Sequence, residues 1–541
     1  MKTIWHLLKS RTTALLNVLM WATLGSILKV VALLSIINGA KALVQGEPIG
    51  RLAIIAWVSI IGLFYVSRLF YQQGGKLFKT FLANLRLSIS KKIAHLSLEQ
   101  FEKHGVSQIE GRLFEDMNVM SDYSRNILAT IEATAQLLGV FVCLLFLFPS
   151  SFFVFAFGFV IMILVVTYMY QITIQKNKQA LTKREGYLKL FREYLRGFKS
   201  LKLDPKKMEG LFEDYVTKTK EVEKAQLSAT MQEYATRVIS DSLFFIIVFS
   251  IILWLMLTAS QSEISVILQV FSLLLFAIGQ ILTIITRANS LFIVDLSLDQ
   301  VLNFDQFLQK DVRKNDLDKA PPTLDFNDKL EVEGLRFVYP PKPNGQHYQL
   351  GPIDFSIRKG EIIFIVGGNG SGKSTFLKAI TRLYRPTQGT FKLDGKALDE
   401  NELAGYSNLF SVIFTDFHLF DRLYGLQKVK SKRVNKLIHF MGLQDKTTFD
   451  GHRFTNLELS TGQKKRLALI TSFLDNRAIY IFDEVAADQD PIHRKFYYET
   501  ILQDMKLAGK TIIAVSHDDH YFHMADRVLK MENGRLVPYE V

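Results

Sequence analysis

The run Gly367-Gly368-Asn369-Gly370-Ser371-Gly372-Lys373-Ser374-Thr375 follows the apolar stretch Glu361 to Val366 and precedes Phe376, Leu377 and Ile380 at helical spacing. It fits G-x-x-x-x-G-K-[ST], the pattern of a phosphate-binding loop between a strand and a helix. The glycines let backbone N–H groups turn inward around a β-phosphate. Lys373 can then reach the β- and γ-phosphates, and the Ser374 hydroxyl can coordinate Mg²⁺ where the helix begins. A glycine-rich turn arising by chance would match the bare pattern, but not the strand before it and the helix after it. The expected ligand is a nucleoside triphosphate. The loop alone does not say which class of phosphate-binding protein this is, so its partners have to be found elsewhere in the chain.

The whole chain constrains that search. Its 541 residues are enough for several domains, and a 49% hydrophobic content is high for a purely soluble protein. The net charge of +13, from 65 Lys plus Arg against 52 Asp plus Glu, suits either nucleic acid or an anionic membrane surface. The single cysteine, Cys143, lies in an apolar run and reads as a small buried hydrophobe. No intrachain disulfide is therefore possible, and nothing suggests a cysteine-based metal site. The first apolar run is too long for a cleavable leader, and none is expected.

Six apolar stretches, Thr13 to Ile37, Leu52 to Tyr71, Ile127 to Phe148, Phe152 to Ile174, Val238 to Leu257 and Ile264 to Thr286, are each about 20 residues, enough for a helix to cross a hydrocarbon core. Short links (Asn38 to Arg51, Pro149 to Ser151, Thr258 to Glu263) force antiparallel hairpins. The long links, Gln72 to Asn126 and Gln175 to Arg237, are rich in Lys and Arg, which places them and both termini in the cytoplasm. Apolar residues at i, i+3, i+4 spacing in these links (Leu85, Ile89, Ile93, Leu96; Leu188, Phe191, Leu195) predict helices that run on into the cytosol. Their tips, near Phe101 to Ile109 and near Arg196 to Lys206, are either rigid levers against a neighbouring domain or ordinary amphipathic connectors. Because the positive charge borders membrane helices and forms no aromatic-laced patch, nucleic acid is not an expected partner.

Polar residues inside or at the ends of these stretches are Lys29, Asn38, Arg68, Asp241, Gln280 and Arg287. Intramembrane charge is costly and tends to face a bundle interior or a wet cavity, which makes Lys29 and Arg68 candidate lining residues for a polar or anionic cargo. Snorkelling toward an interface is the other reading for Arg68 and Arg287 near helix ends. Lys29, far from an end, is the stronger candidate.

From Asn303 to Asn327 the composition turns charged and Pro-containing, the mark of a linker. Beyond it, alternating strands (Leu330, Val332; Leu335, Phe337, Tyr339) and the runs Ile362 to Val366, Ile479 to Phe482 and Thr511 to Val515 predict an α/β sheet with the loop at a strand's C-terminal end. The strand Ala478 to Phe482 ends in Asp483 and Glu484, one carboxylate to hold Mg²⁺ through water and one to polarise an attacking water. Leu459-Ser460-Thr461-Gly462-Gln463 opens a helical stretch, so Ser460 and the N–H groups after it suit a γ-phosphate, although a plain N-cap looks the same. His517 ends another strand where a γ-phosphate could be contacted, although a lone His is more often structural. Tyr339 can stack on a purine ring.

With these residues in view, Leu330 to Leu536 resembles the nucleotide-binding domain of an ABC transporter, and Thr13 to Thr286 resembles its exporter-type six-helix partner. By that resemblance Tyr339 is the adenine-stacking residue, Gly367 to Thr375 the Walker A loop, Leu459 to Gln463 the signature, Asp483 and Glu484 the Walker B pair, Asp490 the D-loop aspartate and His517 the switch histidine. Within the family the chain is most similar to the cyclic-peptide exporters, which include exporters of microcin-like lasso peptides and pyoverdine-type siderophore peptides. The likeness rests on Gly367 to Thr375, Phe414-Thr-Asp-Phe-His-Leu-Phe-Asp421, Gly462-Gln-Lys-Lys-Arg466, Asp483-Glu-Val-Ala-Ala-Asp-Gln-Asp-Pro491 and Ser516-His-Asp-Asp-His-Tyr-Phe522. Three departures stand out: Thr461 where the signature usually has glycine, Thr415 where the family has the Q-loop glutamine, and Asp450 to Glu458 without the Thr-Glu-Val-Gly-Glu run of many exporters. Asp416, next to Thr415, can supply the missing oxygen to Mg²⁺.

The resemblance implies an α-helical six-span transmembrane domain of ABC exporter type (1–302) and a linker (303–327). These are fused to an α/β P-loop nucleotide-binding domain (328–541). It further implies a homodimer in a bacterial inner membrane that binds ATP and Mg²⁺ and exports a peptide or peptide-derived metabolite, with membrane lipid around it. Export of a lipid or hydrophobic drug is the alternative cargo reading. A non-transporting ATP-gated regulator would be expected to have lost Glu484 or His517, and both are present.

Overall fold

The computed structural model describes residues 12–258, 264–311, 322–339, 348–426 and 428–540. They form two compact units: Met1–Lys91 with Val106–Gln309, and Lys92–Gly105 with Lys310–Val541. The first is helical. Its long helices are α1 (Thr12–Val44), α2 (Gly50–Ala94), α3 (Ser124–Leu147), α4 (Pro149–Arg196), α5 (Pro205–Thr258) and α6 (Ile264–Asp311). Each carries one of the six segments long and apolar enough to cross a membrane.

These helices outrun their apolar stretches, as the spacing in the long links predicts. The 45 residues of α2 span about 68 Å at about 1.5 Å per residue, twice what a hydrocarbon core of about 30 Å requires. Only Phe148 separates α3 from α4, and Pro149 occupies the first turn of α4, where its missing N–H costs nothing. The expected short link Thr258 to Glu263 lies outside the described residues from position 259 on. Between α4 and α5 the tip predicted near Arg196 to Lys206 is a short helix, Phe198–Leu203.

Large apolar residues divide between two environments. Val140, Leu144, Phe155, Ile251, Leu273, Leu274 and Ala277 are buried in a common cluster, whereas Ile54, Trp57, Phe64, Phe146, Phe157 and Phe249 point outward. Outward apolar side chains are what a lipid-facing surface needs, and small residues then let the helices approach. A Cβ on Gly139 of α3 would sit 2.5 Å from Ser26 Oγ of α1, and that hydroxyl donates to the Ala135 carbonyl at 2.9 Å.

Lys29 is not a free charge. Its Nζ lies 2.8 Å from Glu132 Oε1, and Glu132 also accepts from Tyr71 (2.6 Å) and Gln136 (2.9 Å). One carboxylate thus ties α1, α2 and α3 together. Asn38 accepts from Gln269 at 2.5 Å, joining α1 to α6. Arg68 is exposed on the outer face of α2, the geometry of a snorkelling side chain. Cys143 is a free thiol, half-buried beside the apolar cluster.

The stretch expected to be a linker from Asn303 begins as helix, since α6 continues to Asp311; positions 312–321 lie outside the described residues.

The second unit holds two sheets. A four-stranded antiparallel sheet has the order β2-β1-β4-β5, from β1 (Lys329–Val338), β2 (Gln349–Arg358), β4 (Gln388–Leu393) and β5 (Lys396–Ala397). A six-stranded sheet has the order β10-β9-β3-β8-β7-β6, from β3 (Ile362–Val366), β6 (Phe410–Ile413), β7 (Ile479–Asp483), β8 (Thr511–Val515), β9 (Arg527–Glu532) and β10 (Arg535–Pro538). Its pairings are parallel except β9 with β10. All five residues of β3, β7 and β8 are buried, which explains their continuous apolar runs: parallel strands are covered on both faces. Truncating one of the fully buried anchors, Phe364 or Phe482, would cost about 3–5 kcal/mol.

Candidate functional site

Because β3, β8 and β7 are neighbours running in parallel, whatever follows each of them emerges at one edge. Gly367 to Thr375 follows β3, His517 follows β8, and Asp483 and Glu484 end β7. The crevice at the carboxyl ends of such strands is the usual ligand position in an open α/β sheet.

The loop passes into α7 (Lys373–Ile380) through glycines that the path requires. Gly372 has φ +112°, and a Cβ there would meet Tyr348 Oη at 2.0 Å. Tyr348 donates to the Ser371 carbonyl at 3.1 Å and so braces the loop from β2's entry. Lys373 is buried, with its ammonium 2.9 Å from the Gly367 carbonyl and 3.3 Å from that of Gly368. It lies 4.0 Å from Glu484 Oε1. Ser374 Oγ donates to Asp483 Oδ2 at 3.2 Å, and His517 Nε2 sits 3.1 Å from Glu484 Oε1. Lys373, Ser374, Asp483, Glu484 and His517 therefore converge, although the sequence separates them by up to 144 positions.

Asp483 is buried, and that burial, with Glu484 beside it, pushes its carboxyl above the usual carboxylate range. Ser374, Lys373 and the amide of Thr415 pull it back. Its Oδ1 and the hydroxyl of Ser371 are buried without a hydrogen-bond partner. An orphaned carboxylate oxygen next to a serine hydroxyl and beside a phosphate-type loop fits a hydrated divalent cation. Thr415 is exposed, and so is Asp416 beside it.

Tyr339 approaches the loop through its hydroxyl, 3.2 Å from Thr375 Oγ1, and packs edge-on against Tyr384 at 5.9 Å. Tyr384 stacks on Phe337 and donates to Glu102, whose Oε1 is 2.8 Å from Lys378 of α7. Glu102 lies on the short helix Leu98–His104, and the stretch Lys92–Gly105 belongs to the second compact unit. Of the tip predicted near Phe101 to Ile109, the part up to Gly105 therefore belongs to the unit that carries the loop, and the part from Val106 on to the helical one. Tyr348, Tyr384 and Glu102 were not legible as site residues, because their roles come from contacts made by the fold.

The signature stretch goes elsewhere. After α8 (Ser431–Phe440), Ser460 caps α9 (Thr461–Asp475) in a capping box: Gln463 N–H reaches Ser460 Oγ at 3.4 Å, and Gln463 Oε1 accepts from Ser460 N–H at 3.0 Å. Ser460 and Thr461 are exposed, and the Gly462 carbonyl accepts from Gln489 at 3.0 Å. Among the described residues no hydrogen bond or ion pair joins Ser460–Gln463 to the phosphate-type loop. Asp490 caps the helix Pro491–Phe496 and pairs with His493 Nδ1 at 2.7 Å; the His493 backbone N–H and then its ring hold the Asp490 carboxyl below its usual range.

Comparison with known proteins fits this geometry. Residues 350–487 match the family model for the ABC transporter, and residues 15–283 match that for the ABC transporter transmembrane region. The chain belongs to the ABC transporter family. Members of that family are ATP-hydrolysing transporters, and the six candidate spans make this one a multi-pass membrane protein. It is similar to the ATP-binding protein SyrD of Pseudomonas syringae pv. syringae, 42% identical over 212 residues, 38% of either chain. It is also similar to the subtilin transport ATP-binding protein SpaT of Bacillus subtilis, 27% identical over 272 residues, 47% of this chain and 43% of that one. The matches thus span less than half the length of these two relatives. The structure of a bacterial Atm1-family ABC exporter with ATP bound shares the fold, with a TM-score of 0.76 at 15% identity, over 98% of this chain and 95% of that one.

Thr415 and Asp416 can be separated experimentally. With Thr415 and Asp416 both exposed and the carboxylate the stronger oxygen donor, Asp416→Ala should weaken Mg²⁺-dependent hydrolysis more than Thr415→Ala does. Equal, small effects on the Mg²⁺ dependence of phosphate release would make Asp416 a bystander.

Proposed function

We propose that two copies of this ABC transporter chain assemble into an exporter that binds MgATP between its nucleotide-binding domains and moves a peptide or peptide-derived metabolite out across a bacterial inner membrane. The observation that carries this reading is the split within one chain. Lys373, Ser374, Asp483, Glu484 and His517 converge, while Ser460, Thr461, Gly462 and Gln463 form an exposed helix start bonded to other residues. A γ-phosphate needs both groups, so the second set would come from a second subunit.

In this reading Tyr339 stacks on adenine, and Gly367 to Thr375 cradles the phosphates. Glu484 accepts a proton from the attacking water, and His517, bonded to Glu484, holds the γ-phosphate side. Ser374 and, through water, Asp483 would hold Mg²⁺, with Asp416 as a further oxygen; the ion supplies charge neutralisation at the phosphates. Asp490 would lie at the subunit boundary.

Peptide-like cargo is supported by the motif likeness to cyclic-peptide exporters and by the likeness to a subtilin transport protein. The Lys29–Glu132 pair adds a polar, charge-bearing patch among the spans, which suits a polar cargo better than a lipid.

ATPase activity of the purified protein in nanodiscs, measured against cyclic, lasso and linear peptides, lipids and dyes, tests the cargo. Stimulation by one peptide class is expected, and stimulation by lipids or dyes alone would replace the peptide reading. Lys29→Leu should then reduce the stimulated rate more than the basal rate, and an unchanged response would leave the pair a packing role.

A further inference from the structure

The residue that follows the signature by two positions, Lys465, is only 4% exposed. Burying an ammonium is costly unless strong acceptors meet it. Two do, and both belong to the turn after β7: the Glu484 backbone carbonyl at 2.7 Å and Asp488 Oδ2 at 2.6 Å. The same carbonyl also receives the Ala487 N–H at 3.2 Å.

That turn is the one that sets the direction of the Glu484 side chain. Glu484 has φ +53°, a left-handed conformation that a non-glycine residue holds only when its surroundings determine it. The first turn of α9 lies directly against this segment: a Cβ on Gly462 would meet the Asp488 carbonyl at 2.7 Å. A buried helix position of this kind would be more simply filled by an apolar side chain, since buried ion pairs rarely add stability over well-packed hydrophobes. What an apolar side chain cannot do is donate to the carbonyl of a residue in a strained conformation.

We infer that Lys465 is a positioning residue for hydrolysis: it clamps the backbone of Glu484 so that the carboxylate stays aimed at the loop, between Lys373 at 4.0 Å and His517 at 3.1 Å. The inference rests on the reading of Glu484 as the group that accepts the proton from water. Without the clamp the Glu484 carbonyl has the Ala487 N–H alone to hold it, and the carboxylate samples directions away from the site. The phosphate-binding loop is untouched, so ATP binding should persist.

The test compares Lys465→Met, Lys465→Gln and Glu484→Gln with the double variant Lys465→Met/Glu484→Gln, in nanodisc-reconstituted protein. Loss of Lys465 leaves Asp488 half-exposed and able to be hydrated, so Lys465→Met should keep its Tm and its affinity for a fluorescent ATP analogue. Its kcat should fall at least fivefold, and Lys465→Gln, which retains a neutral donor, should recover part of that. On the Glu484→Gln background the Lys465→Met change should have no further effect on single-turnover hydrolysis, because a group acting through a carboxylate has nothing to add once that carboxylate is gone. A drop in kcat below fivefold, a loss of ATP affinity as large as the loss of kcat, or a full additive loss in the double variant would each overturn the inference. Near-normal hydrolysis by Glu484→Gln alone would instead remove the catalytic reading beneath it.

Discussion

Replacing Glu484 by Gln should lower steady-state ATP hydrolysis by about 10²- to 10⁴-fold, the range that a positioned general base contributes, while ATP still binds. The change keeps the size and planarity of the side chain and removes its ability to take a proton. Strain is not a competing explanation, because Glu484 already holds φ +53° and Gln carries the same backbone and the same Cβ. Binding should survive, since Lys373 stays on the Gly367 and Gly368 carbonyls and Ser374 stays on Asp483. Phosphate release in the steady state, set beside equilibrium binding of a fluorescent ATP analogue, separates the two effects. A variant that turns over at near wild-type rate would sink the assignment of Glu484, whatever its binding.

Much of this site was legible because its parts are strand ends. The runs Ile362 to Val366, Ile479 to Phe482 and Thr511 to Val515 are almost wholly apolar, as doubly covered parallel strands must be, and each runs into a candidate site segment: the glycine-rich loop, Asp483 with Glu484, and Ser516 with His517. What the chain order does not carry is which strands are neighbours. The adjacency of β3, β8 and β7 turns three separate motifs into one cluster. The contacts of Tyr348, Tyr384 and Lys465 arise only from that packing, and no spacing rule points to them. Glu132 is different: it interrupts the apolar stretch Ile127 to Phe148, so it carries the same signal of a charge within a span that Lys29 does. The composition after Asn303 did not carry the end of a helix, because the helix runs on to Asp311 through residues that a linker would also use.

The proposed dimer makes a prediction that no single chain can mimic. Lys373→Ala should abolish hydrolysis by removing the ammonium from the loop. Ser460→Arg should do the same by placing a long cation at the exposed start of α9, where a partner's phosphate would sit; losing the capping hydroxyl costs only about 1 kcal/mol, so the fold should persist. Each variant is expected to be inactive as its own homodimer. In a hybrid of the two, the loop of the first subunit faces the signature of the second, so both lesions fall in one ATP site and the other site is wholly wild type. Hybrids purified through two different tags should therefore recover part of the hydrolysis that neither parent shows. If each site were built within one chain, both sites of the hybrid would be damaged and nothing would return. Hybrids of wild type with either variant supply the control, because they show whether one intact site suffices for hydrolysis. If it does, double-tagged hybrids with no more activity than their parents would rule out the shared site, and with it the separation between Ser460 and Lys373 as a reason for the chain to dimerise.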